Sequence, residues 1–173
     1  GFGHHAAKLG MELACELAAE TGIGAVGVHN SNFFGAGAYY VQLAADRGMI
    51  GLAVSNSFPK VAAHGGIKPV LGTNPLSFSA PRADGRSILI DMSTAAMAGS
   101  SVREAIAKGE MLDPGLVIDA DGAPIVDPVL ASKGTLLSAA GTKGFGLAIM
   151  VELLSAVLTG AGVAGEVASM YAD

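Results

Sequence analysis

The amino-acid sequence predicts an α/β fold, in which short apolar strands alternate with helices along the chain. Leucines recur every four residues between His4 and Glu20, which is the spacing of one face of a helix. Short continuous apolar segments, such as Met49–Val54, are typical of strands. Because the two kinds of segment alternate and do not fall into separate blocks, we expect a single α/β unit.

The first half of the chain supplies two of the predicted helices. The helix near His4 carries charged residues opposite its leucines, so we expect an amphipathic surface helix that ends at Gly22. The second helix is predicted to end at Gly48 for the same reason. Glycine and proline interrupt the pattern between Phe58 and Pro81, which predicts an irregular, partly buried segment. The predicted elements are a helix over 4–20, a strand over 25–28, a helix over 36–46, an interior strand over 49–54 and a strand over 76–80.

The second half continues the alternation. Turn residues at Asp121 and Gly122 separate two short apolar segments, which predicts a small hairpin. The last helix has Glu152, Ser155 and Thr159 on one narrow face and is apolar elsewhere, so it is predicted to be buried on most sides. The predicted elements are an interior strand over 87–91, a helix over 102–108, hairpin strands over 116–119 and 123–126, and a helix over 147–158.

The segment Leu137–Gly146 is the predicted centre of the molecule. Its glycines at positions 141, 144 and 146 permit positive φ and close approach to a ligand, and Lys143 adds a positive charge. A helix that follows directly would present its positive N-terminal end to the same place. The pattern therefore predicts a phosphate or carboxylate site. The alternative is that these glycines only let the loop pack against a core helix, and the pattern does not separate the two.

A second candidate site is the segment from Asp91 to Ala96, at the end of a predicted interior strand. Ligands collect at the ends of strands in open α/β sheets. A carboxylate followed by the hydroxyls of Ser93 and Thr94 suits ribose or phosphate oxygens. Helix capping by the same two hydroxyls is an equally good interpretation.

Composition restricts the classes of partner. The chain has 173 residues, enough for one domain with a sizeable core. Hydrophobic residues make up 51% and charged residues only 14%, which predicts that a partner copy hides part of the surface. The net charge is −5 and no basic stripe is present, so a nucleic-acid partner is not expected. The longest apolar run is too short for a membrane span.

Several common site types are not predicted. Cys15 is the only cysteine, so there is no disulfide framework and a cytoplasmic setting is the default. The pattern Gly160–Gly165 follows a helix and not a strand, so we reject it as a Rossmann loop. The histidines lack the spacing of a metal site, and no metal is expected. His64 precedes two glycines and is a candidate for catalysis, although a structural role is the stronger alternative.

Short segments of the chain also carry a family resemblance. They are Asn30–Gly35, Leu71–Pro75, Asp91–Thr94, Asp127–Pro128, Lys143–Ala148 and Glu152–Leu154. Each is weakly specific alone, but their order and spacing cover essentially the whole chain. The set resembles the type 2 malate/L-lactate dehydrogenases, a family that includes ureidoglycolate dehydrogenase, diketogulonate reductase, sulfolactate dehydrogenase and cyclic-imine reductases.

The resemblance implies a non-Rossmann fold that binds NAD, or alternatively NADP, and forms homodimers. It also implies that residues 1–173 are the central, cofactor-binding part of a longer chain whose N- and C-terminal segments are absent. The fragment alone is expected to be inactive. The residues that fall where the family contacts its cofactor are Ser57, Asp91, Met92, Ser93, Thr94, Ala95, Ala96, Thr142 and Lys143.

The sequence departs from the family pattern at the residues that move protons. Family members commonly have an upstream Ser-His-Gly segment whose histidine donates a proton, and nothing before Gly1 supplies it. A second family histidine is replaced here by Phe33, which cannot transfer a proton. Ser101 stands where members often have a charged side chain. The catalytic residues are therefore not identified by the resemblance.

These observations lead to three functional hypotheses. The first is an oxidoreductase that transfers a hydride between NAD(P)H and a small 2-oxo acid or 2-hydroxy acid, and its nearest variant is a cyclic-imine carboxylate reductase. The second is a noncatalytic dinucleotide-binding or oligomer-forming module, with Phe33 as the mark of lost activity. A third, a phosphate-binding transferase, would need a general base that the sequence does not show.

Overall fold

The computed structural model of the chain describes residues 2–169 and confirms the α/β class. Gly1 and residues 170–173 lie outside the described part. The helices are α1 (Gly3–Thr21), α2 (Gly37–Ala45), α3 (Gly99–Lys108), α4 (Pro128–Ala131) and α5 (Thr142–Glu152), and α5 continues into a π-helical segment (Leu153–Val157). The strands are β1 (Gly51–Val54), β2 (Val61–Ala62), β3 (Pro69–Leu71), β4 (Leu76–Pro81), β5 (Ser87–Met92), β6 (Val117–Ile118) and β7 (Thr135–Leu136).

The strands form two sheets. The first sheet is antiparallel, in the order β1-β4-β5, so β4 lies in the middle. The second has the order β3-β2-β7-β6, and its β2–β7 pair is parallel. The best-packed hydrophobic cluster belongs to the second sheet, where α3, α4 and the strands meet. Its buried residues are Val61, Ala95, Val102, Val117, Ala131 and Leu136.

One face of the first sheet packs tightly against α2. Ser77 and Ser79 of β4 are fully buried on this face, and the Ser79 hydroxyl donates to the carbonyl oxygen of Val41. A Cβ on Gly37 would lie 1.9 Å from the Ser77 Oγ, so the absence of a side chain there permits the close approach. Small residues and paired hydroxyls therefore join helix and sheet at this contact.

The other face of the first sheet, which we call the open face, is apolar and exposed. Cross-strand pairing aligns Leu52 with Phe78 and Phe78 with Ile90, which places all three side chains on this side. Leu52 is 54% exposed and Ile90 is 43% exposed. The open face consists of Leu52, Val54, Leu76, Phe78, Ile88, Ile90 and Met92.

The predicted ends of α1 and α3 are confirmed, whereas α2 ends at Ala45, before the predicted Gly48. Helix α1 ends at Gly22 and α3 at Gly109, and both glycines have positive φ. Cys15 is buried on α1, as expected for a small core residue. The leucine face of α1 is instead exposed, with Leu9 50% and Leu13 46% exposed. The predicted hairpin forms around Asp119, but β7 is the principal partner of β6.

The predicted strand over 25–28 is wrong. The chain from 23 to 29 has no regular secondary structure. A Cβ on Gly24 would lie 2.0 Å from the carbonyl oxygen of Ala14 on α1, and a Cβ on Gly27 would lie 2.9 Å from Thr159 Cγ2. The segment packs its main chain against these neighbours, and this contact replaces the pairing with a strand.

The prediction that strands 49–54 and 87–91 are interior is also wrong within the described chain. Both β1 and β5 are edge strands of the first sheet. The prediction was based on continuous apolar sequence. Such sequence also suits an edge strand whose apolar face packs against residues outside the described part of the chain or against a partner.

The last helix differs from prediction in start and in burial. It begins at Thr142 and not at 147, so Gly144 and Gly146 are helical and only Gly141 of the three has positive φ. Glu152 is 4% exposed, whereas Leu153 is 52% exposed. Glu152 faces inward with Ala148 and Val151 and has amide partners there, whereas another apolar face of the helix is exposed. No helix within residues 2–169 has the length and apolar character of a membrane span.

Candidate functional site

The residue pair Thr73–Asn74, between β3 and β4, holds the predicted cofactor segments together. Asn74 is completely buried and has a φ of 36°, which is rare for a non-glycine residue. Its Oδ1 accepts from the Ser57 amide at 3.2 Å, and its Nδ2 donates to the Ala148 carbonyl oxygen at 3.0 Å. Asn74 therefore ties the loop after β1 to the middle of α5.

Thr73 makes the corresponding links to the segment after β5. Its carbonyl oxygen accepts from the amide of Thr94 at 3.1 Å and from the Ser93 hydroxyl at 2.9 Å. Its amide donates to Ser57 Oγ at 3.1 Å. We call Ser57, Thr73, Asn74, Thr94 and Glu152 the hub, because these residues connect all three predicted contact segments.

The hub depends on one close backbone approach. A Cβ on Gly72 would lie 2.2 Å from Ser57 Oγ and 2.3 Å from the Ser57 carbonyl oxygen. No side chain fits at such distances. Glycine at position 72 is thus required for the contact between the loop after β1 and β3.

The 91–96 segment and the 137–146 segment, which we call the glycine-lysine segment, lie side by side. The amide of Ala96 donates to the Leu137 carbonyl oxygen at 2.7 Å, and the amide of Ala139 donates to the Thr94 carbonyl oxygen at 3.0 Å. These bonds join the 91–96 segment directly to the start of the glycine-lysine segment. A ligand that contacts one of these segments can therefore reach the other.

The hydroxyls of the 91–96 segment have internal partners. Ser93 Oγ accepts from the Ala95 amide in addition to its bond to Thr73, and Thr94 Oγ1 donates to the Thr73 and Asn74 carbonyl oxygens. Neither hydroxyl caps a helix, since α3 begins after Ala98. Helix capping is therefore excluded, and both hydroxyls hold the 91–96 segment on the hub, while ligand binding by this segment stays a prediction.

The remaining residues of that segment differ in accessibility. Asp91 is exposed, with Oδ2 accepting from the Ala38 amide at 2.9 Å and Oδ1 accepting from Ser77 Oγ at 2.7 Å. Met92 is exposed, Ala95 is buried and Ala96 is half-buried. Asp91 thus anchors the N-terminus of α2 and keeps free acceptor capacity toward solvent.

The glycine-lysine segment presents a helix N-terminus with an exposed cation. Gly141 is the residue before α5, with φ 63° and ψ −120°, and Ala140 before it has φ 50°. Thr142 and Lys143 open the helix and are both exposed. A Cβ on Gly144 would lie 2.1 Å from the Ala139 carbonyl oxygen, so this glycine serves close packing. One glycine therefore provides the turn and another provides the packing.

His64 lies beside the same turn. The position of a Cβ on Gly141 would be 3.4 Å from the His64 Cε1, and both residues line a cavity of about 410 Å³ together with Ser138. The Ser138 hydroxyl is buried and has no hydrogen-bond partner among the described residues. The structure places the histidine candidate within reach of a ligand at the α5 N-terminus, on the side of the second sheet.

Phe33 lies elsewhere, at the N-terminal end of α1. It is 59% exposed and contacts the His4 ring edge to face, with 5.9 Å between centroids. The segment is held by Tyr40, whose hydroxyl donates to the Phe34 carbonyl oxygen. Burial, with a smaller effect of Tyr39, raises the pKa of the Tyr40 hydroxyl, so it remains a donor at neutral pH.

Sequence reasoning missed the side chains that organise the site. Thr73 and Asn74 fell within the segment that was predicted to be irregular and partly buried, and Glu152 was placed on a polar helix face. The available signal was that an acid interrupts an otherwise apolar helix, because a buried acid requires partners. Within residues 2–169, no group of three or more His, Cys, Asp or Glu side chains is arranged to hold a metal.

Comparison with known proteins bears on this arrangement. A family model described as malate/L-lactate dehydrogenase matches residues 1–173. The chain is 44% identical over 160 residues to L-sulfolactate dehydrogenase of Methanothermobacter thermautotrophicus, which covers 92% of this chain and 47% of the relative. It is 39% identical over 171 residues to ureidoglycolate dehydrogenase (NAD(+)) of Escherichia coli O157:H7, covering 99% and 48%.

A solved structure agrees with these matches. The crystal structure of delta1-piperideine-2-carboxylate reductase from Pseudomonas syringae pvar. tomato superposes with a TM-score of 0.88 at 37% identity, covering 94% of this chain and 49% of that one. The chain spans about half the length of the curated relatives it matches. The resemblance noted in the sequence is thereby confirmed, and the chain belongs to the malate/L-lactate dehydrogenase family.

Proposed function

We propose that the protein containing these residues is a nicotinamide-dependent oxidoreductase that transfers a hydride between NAD(P)H and a small 2-oxo acid or 2-hydroxy acid. The observation that carries the proposal is the convergence of three segments on Thr73 and Asn74, with Lys143 exposed beside them. Because the chain spans about half the length of the curated relatives it matches, activity, substrate and partners are proposed for the whole protein.

The donor set of the site fits a dinucleotide. Lys143 and the first amides of α5 offer positive charge to a pyrophosphate. The exposed Asp91 carboxyl offers acceptor atoms to ribose hydroxyls. The loop that carries Ser57 is held against the same hub, and Met92, Ala95 and Ala96 contribute main chain and apolar contact.

Each group then has a definite task in the reaction. The bound nicotinamide supplies the hydride. Lys143 and Asp91 fix the two halves of the dinucleotide, and the hub residues hold the main chain that meets it. The reaction also needs a binding site for the substrate carboxylate and a proton donor. The cavity beside Gly141 is the place where this chain can provide both.

His64 is the proton donor that we propose within residues 2–169. Its ring lies against Gly141 and borders the cavity. Replacing His64 with Asn should lower kcat by about a hundredfold, since a general acid contributes roughly 10²–10⁴. The KM for NADH should stay within about twofold. An unchanged kcat would assign the proton to another residue.

The first test is nucleotide binding by the full-length protein. Fluorescence titration with NADH and with NADPH should show saturable binding, and we expect NAD to be the preferred cofactor, as in the relative named ureidoglycolate dehydrogenase (NAD(+)). Absence of saturable binding for both nucleotides would overturn the proposal.

A second candidate is a cyclic-imine carboxylate reductase. It is supported by the close structural likeness to a piperideine-carboxylate reductase. Measuring NADH oxidation with pyruvate, oxaloacetate and a cyclic imine acid distinguishes the two substrate classes. Binding without turnover on any of them would favour a noncatalytic module, consistent with Phe33 in place of a proton-transferring residue.

We also propose that the full-length protein is a homodimer in the cytoplasm. The open face supports this, because contiguous exposed apolar side chains mark protein interfaces. Analytical ultracentrifugation of the full-length protein should give the mass of two chains. A monomer at micromolar concentration would contradict the dimer.

A further inference from the structure

Glu152 is the one acidic residue of the hub, and it is buried. It is the last residue of α5 and is 4% exposed. Its Oε2 accepts from Asn74 Nδ2 at 2.8 Å, while its Oε1 accepts from the Ala164 amide at 2.8 Å and from Asn56 Nδ2 at 3.2 Å. Every one of these partners is a neutral N–H donor.

Stability alone gives a poor reason for such a residue. Burying a carboxyl group costs free energy even when it is hydrogen-bonded, and an apolar side chain of similar volume is usually at least as stabilising. The residues around Glu152 are apolar along the rest of the helix. A carboxyl at this position is better explained by the geometry that it imposes on its partners.

That geometry reaches the predicted cofactor contacts through Asn74. The bond to Glu152 orients the Asn74 amide, so that Nδ2 faces α5 and Oδ1 faces the Ser57 amide. The main chain of Ser57 is therefore oriented by a side chain that does not touch it. The adjacent Thr73 then holds Ser93 and Thr94.

Glu152 also connects the two ends of the site. It lies on the same helix as Lys143, nine positions away, which corresponds to about 13 Å along the axis. Because α5 is continuous between them, the contact with Asn74 sets the position of Lys143 relative to Ser57. One carboxyl group thus fixes the position of the predicted pyrophosphate contact, Lys143, relative to the loop that carries Ser57.

The backbone supports the same interpretation. Two residues bonded to Glu152 have left-handed φ without being glycine, namely Asn74 at 36° and Ala164 at 50°. Ala140, at the start of the glycine-lysine turn, has φ 50°. Such conformations persist where the surroundings impose them, and they cluster at functional sites.

We propose that Glu152 is a positioning residue for the dinucleotide, which holds Asn74 and thereby Ser57 in the orientation that binds the cofactor. The inference rests on the proposed function, since it names what maintains that site. It assigns to this carboxyl group an effect on cofactor affinity beyond its effect on folding.

The test compares variants of the full-length protein. Glu152→Gln keeps the volume, but its Nε2 must face an N–H donor. If Nε2 faces Asn74, the amide of Asn74 either loses its partner or rotates and withdraws Oδ1 from the Ser57 amide. We expect the Kd for NADH to rise about tenfold, the loss of one hydrogen bond to a charged group, with kcat at saturating NADH within about threefold.

A second variant restores the pairing with residue 152 by exchanging the groups, while the bond from Asn74 Nδ2 to the Ala148 carbonyl oxygen is lost in it and in Asn74→Asp alike. In Asn74→Asp combined with Glu152→Gln, the new amide can donate to the new carboxylate, whose second oxygen can accept from the Ser57 amide. NADH affinity should recover relative to Asn74→Asp alone. Ser155→Ala is the matched control, because the Ser155 hydroxyl bonds only within its own helix, to Val151.

Hydrogen exchange gives a readout independent of activity. Peptides containing residues 55–57 and 73–74 should exchange faster in Glu152→Gln, while β6 and β7 remain as protected as in the wild type. An unchanged Kd with a lowered melting temperature would show that Glu152 is only structural and would overturn the proposal. If Glu152→Gln does not fold, the NADH affinity of the double variant is compared with that of Asn74→Asp. Equal affinity in these two variants would also overturn the proposal.

The outcomes separate this inference from the function on which it rests. A wild-type protein that binds neither NADH nor NADPH defeats the proposed function itself. A wild-type protein that binds NADH, with a Glu152→Gln variant that binds it equally well, defeats only the positioning role.

Discussion

The hub and the open face differ in which side chains are buried. In the hub, polar side chains such as Asn74 and Glu152 are buried, and each has hydrogen-bond partners. On the open face, apolar side chains such as Leu52 and Ile90 stay exposed. The usual relation between polarity and burial is therefore inverted in both regions.

The difference shows what each region is for. The hub is complete within the described residues, because its donors and acceptors are matched to one another. The open face has well-formed cross-strand contacts but lacks a covering layer among residues 2–169. We therefore expect substitutions in the hub to affect cofactor binding, and substitutions on the open face to affect association.

The largest effect is expected from Phe78→Asp in the full-length protein. Phe78 lies at the centre of the open face, paired with Leu52 and Ile90. A charge there should weaken association by about 3 kcal/mol, the size of an interface hot spot. Sedimentation velocity measures the shift toward monomer. Ser101→Asp, an exposed change on α3, should leave the mass unchanged.

The next effect is expected at the hub from Gly72→Ala. The new Cβ would lie 2.2 Å from Ser57 Oγ, so the strand and loop must separate. We expect a loss of about 1–3 kcal/mol in the free energy of unfolding, as for other overpacked sites. Denaturant titration provides the value. Gly146→Ala is the matched control, since a Cβ there meets nothing within 4 Å, and it should stabilise α5 by up to about 1 kcal/mol.

A smaller effect is expected from Lys143→Ala at the start of α5. Removing the exposed cation should weaken NADH binding about tenfold and reduce its dependence on salt, with little change in melting temperature. Lys133→Ala, which removes an exposed cation away from the hub, should bind NADH normally. Equal affinity in both variants would remove Lys143 from the site.

The smallest effect is expected from Ala140→Gly. Ala140 has φ 50°, a conformation that glycine adopts more easily. Relief of this strain should raise the free energy of unfolding by roughly 0.5–1 kcal/mol. Thermal melting should show a small increase. A decrease would mean that the methyl group contributes packing that outweighs the strain.

Much of the local structure could be predicted because it depends on neighbouring residues. Helices α1 and α3 follow from periodicity and from the glycines that end them, and β4 follows from its apolar pattern. The strand predicted over 25–28 failed because Gly24 and Gly27 make close main-chain contacts with residues distant in sequence. Such contacts leave no periodic signal.

The candidate site was predicted in part. Each of the 91–96 and 137–146 segments was predicted as a candidate site, and the hydrogen bonds of Ala96 and Ala139 place them side by side. The hydrogen bonds of Ser93 and Thr94 to Thr73 were not predicted. The sequence does not distinguish a hydroxyl that contacts a ligand from one that bonds to the main chain. Only the positions of its neighbours decide between them.

The sequence by itself determined the α/β class, the ends of α1 and α3, and the family, since these rest on residue order and local conformational preference. Tertiary structure alone decided that Glu152 faces inward, that Leu153 beside it faces outward, and that β1 and β5 are edges. The physical reason is that burial is a property of packed surfaces. A side chain's environment depends on which distant segment covers it, and that information is spread over the whole chain.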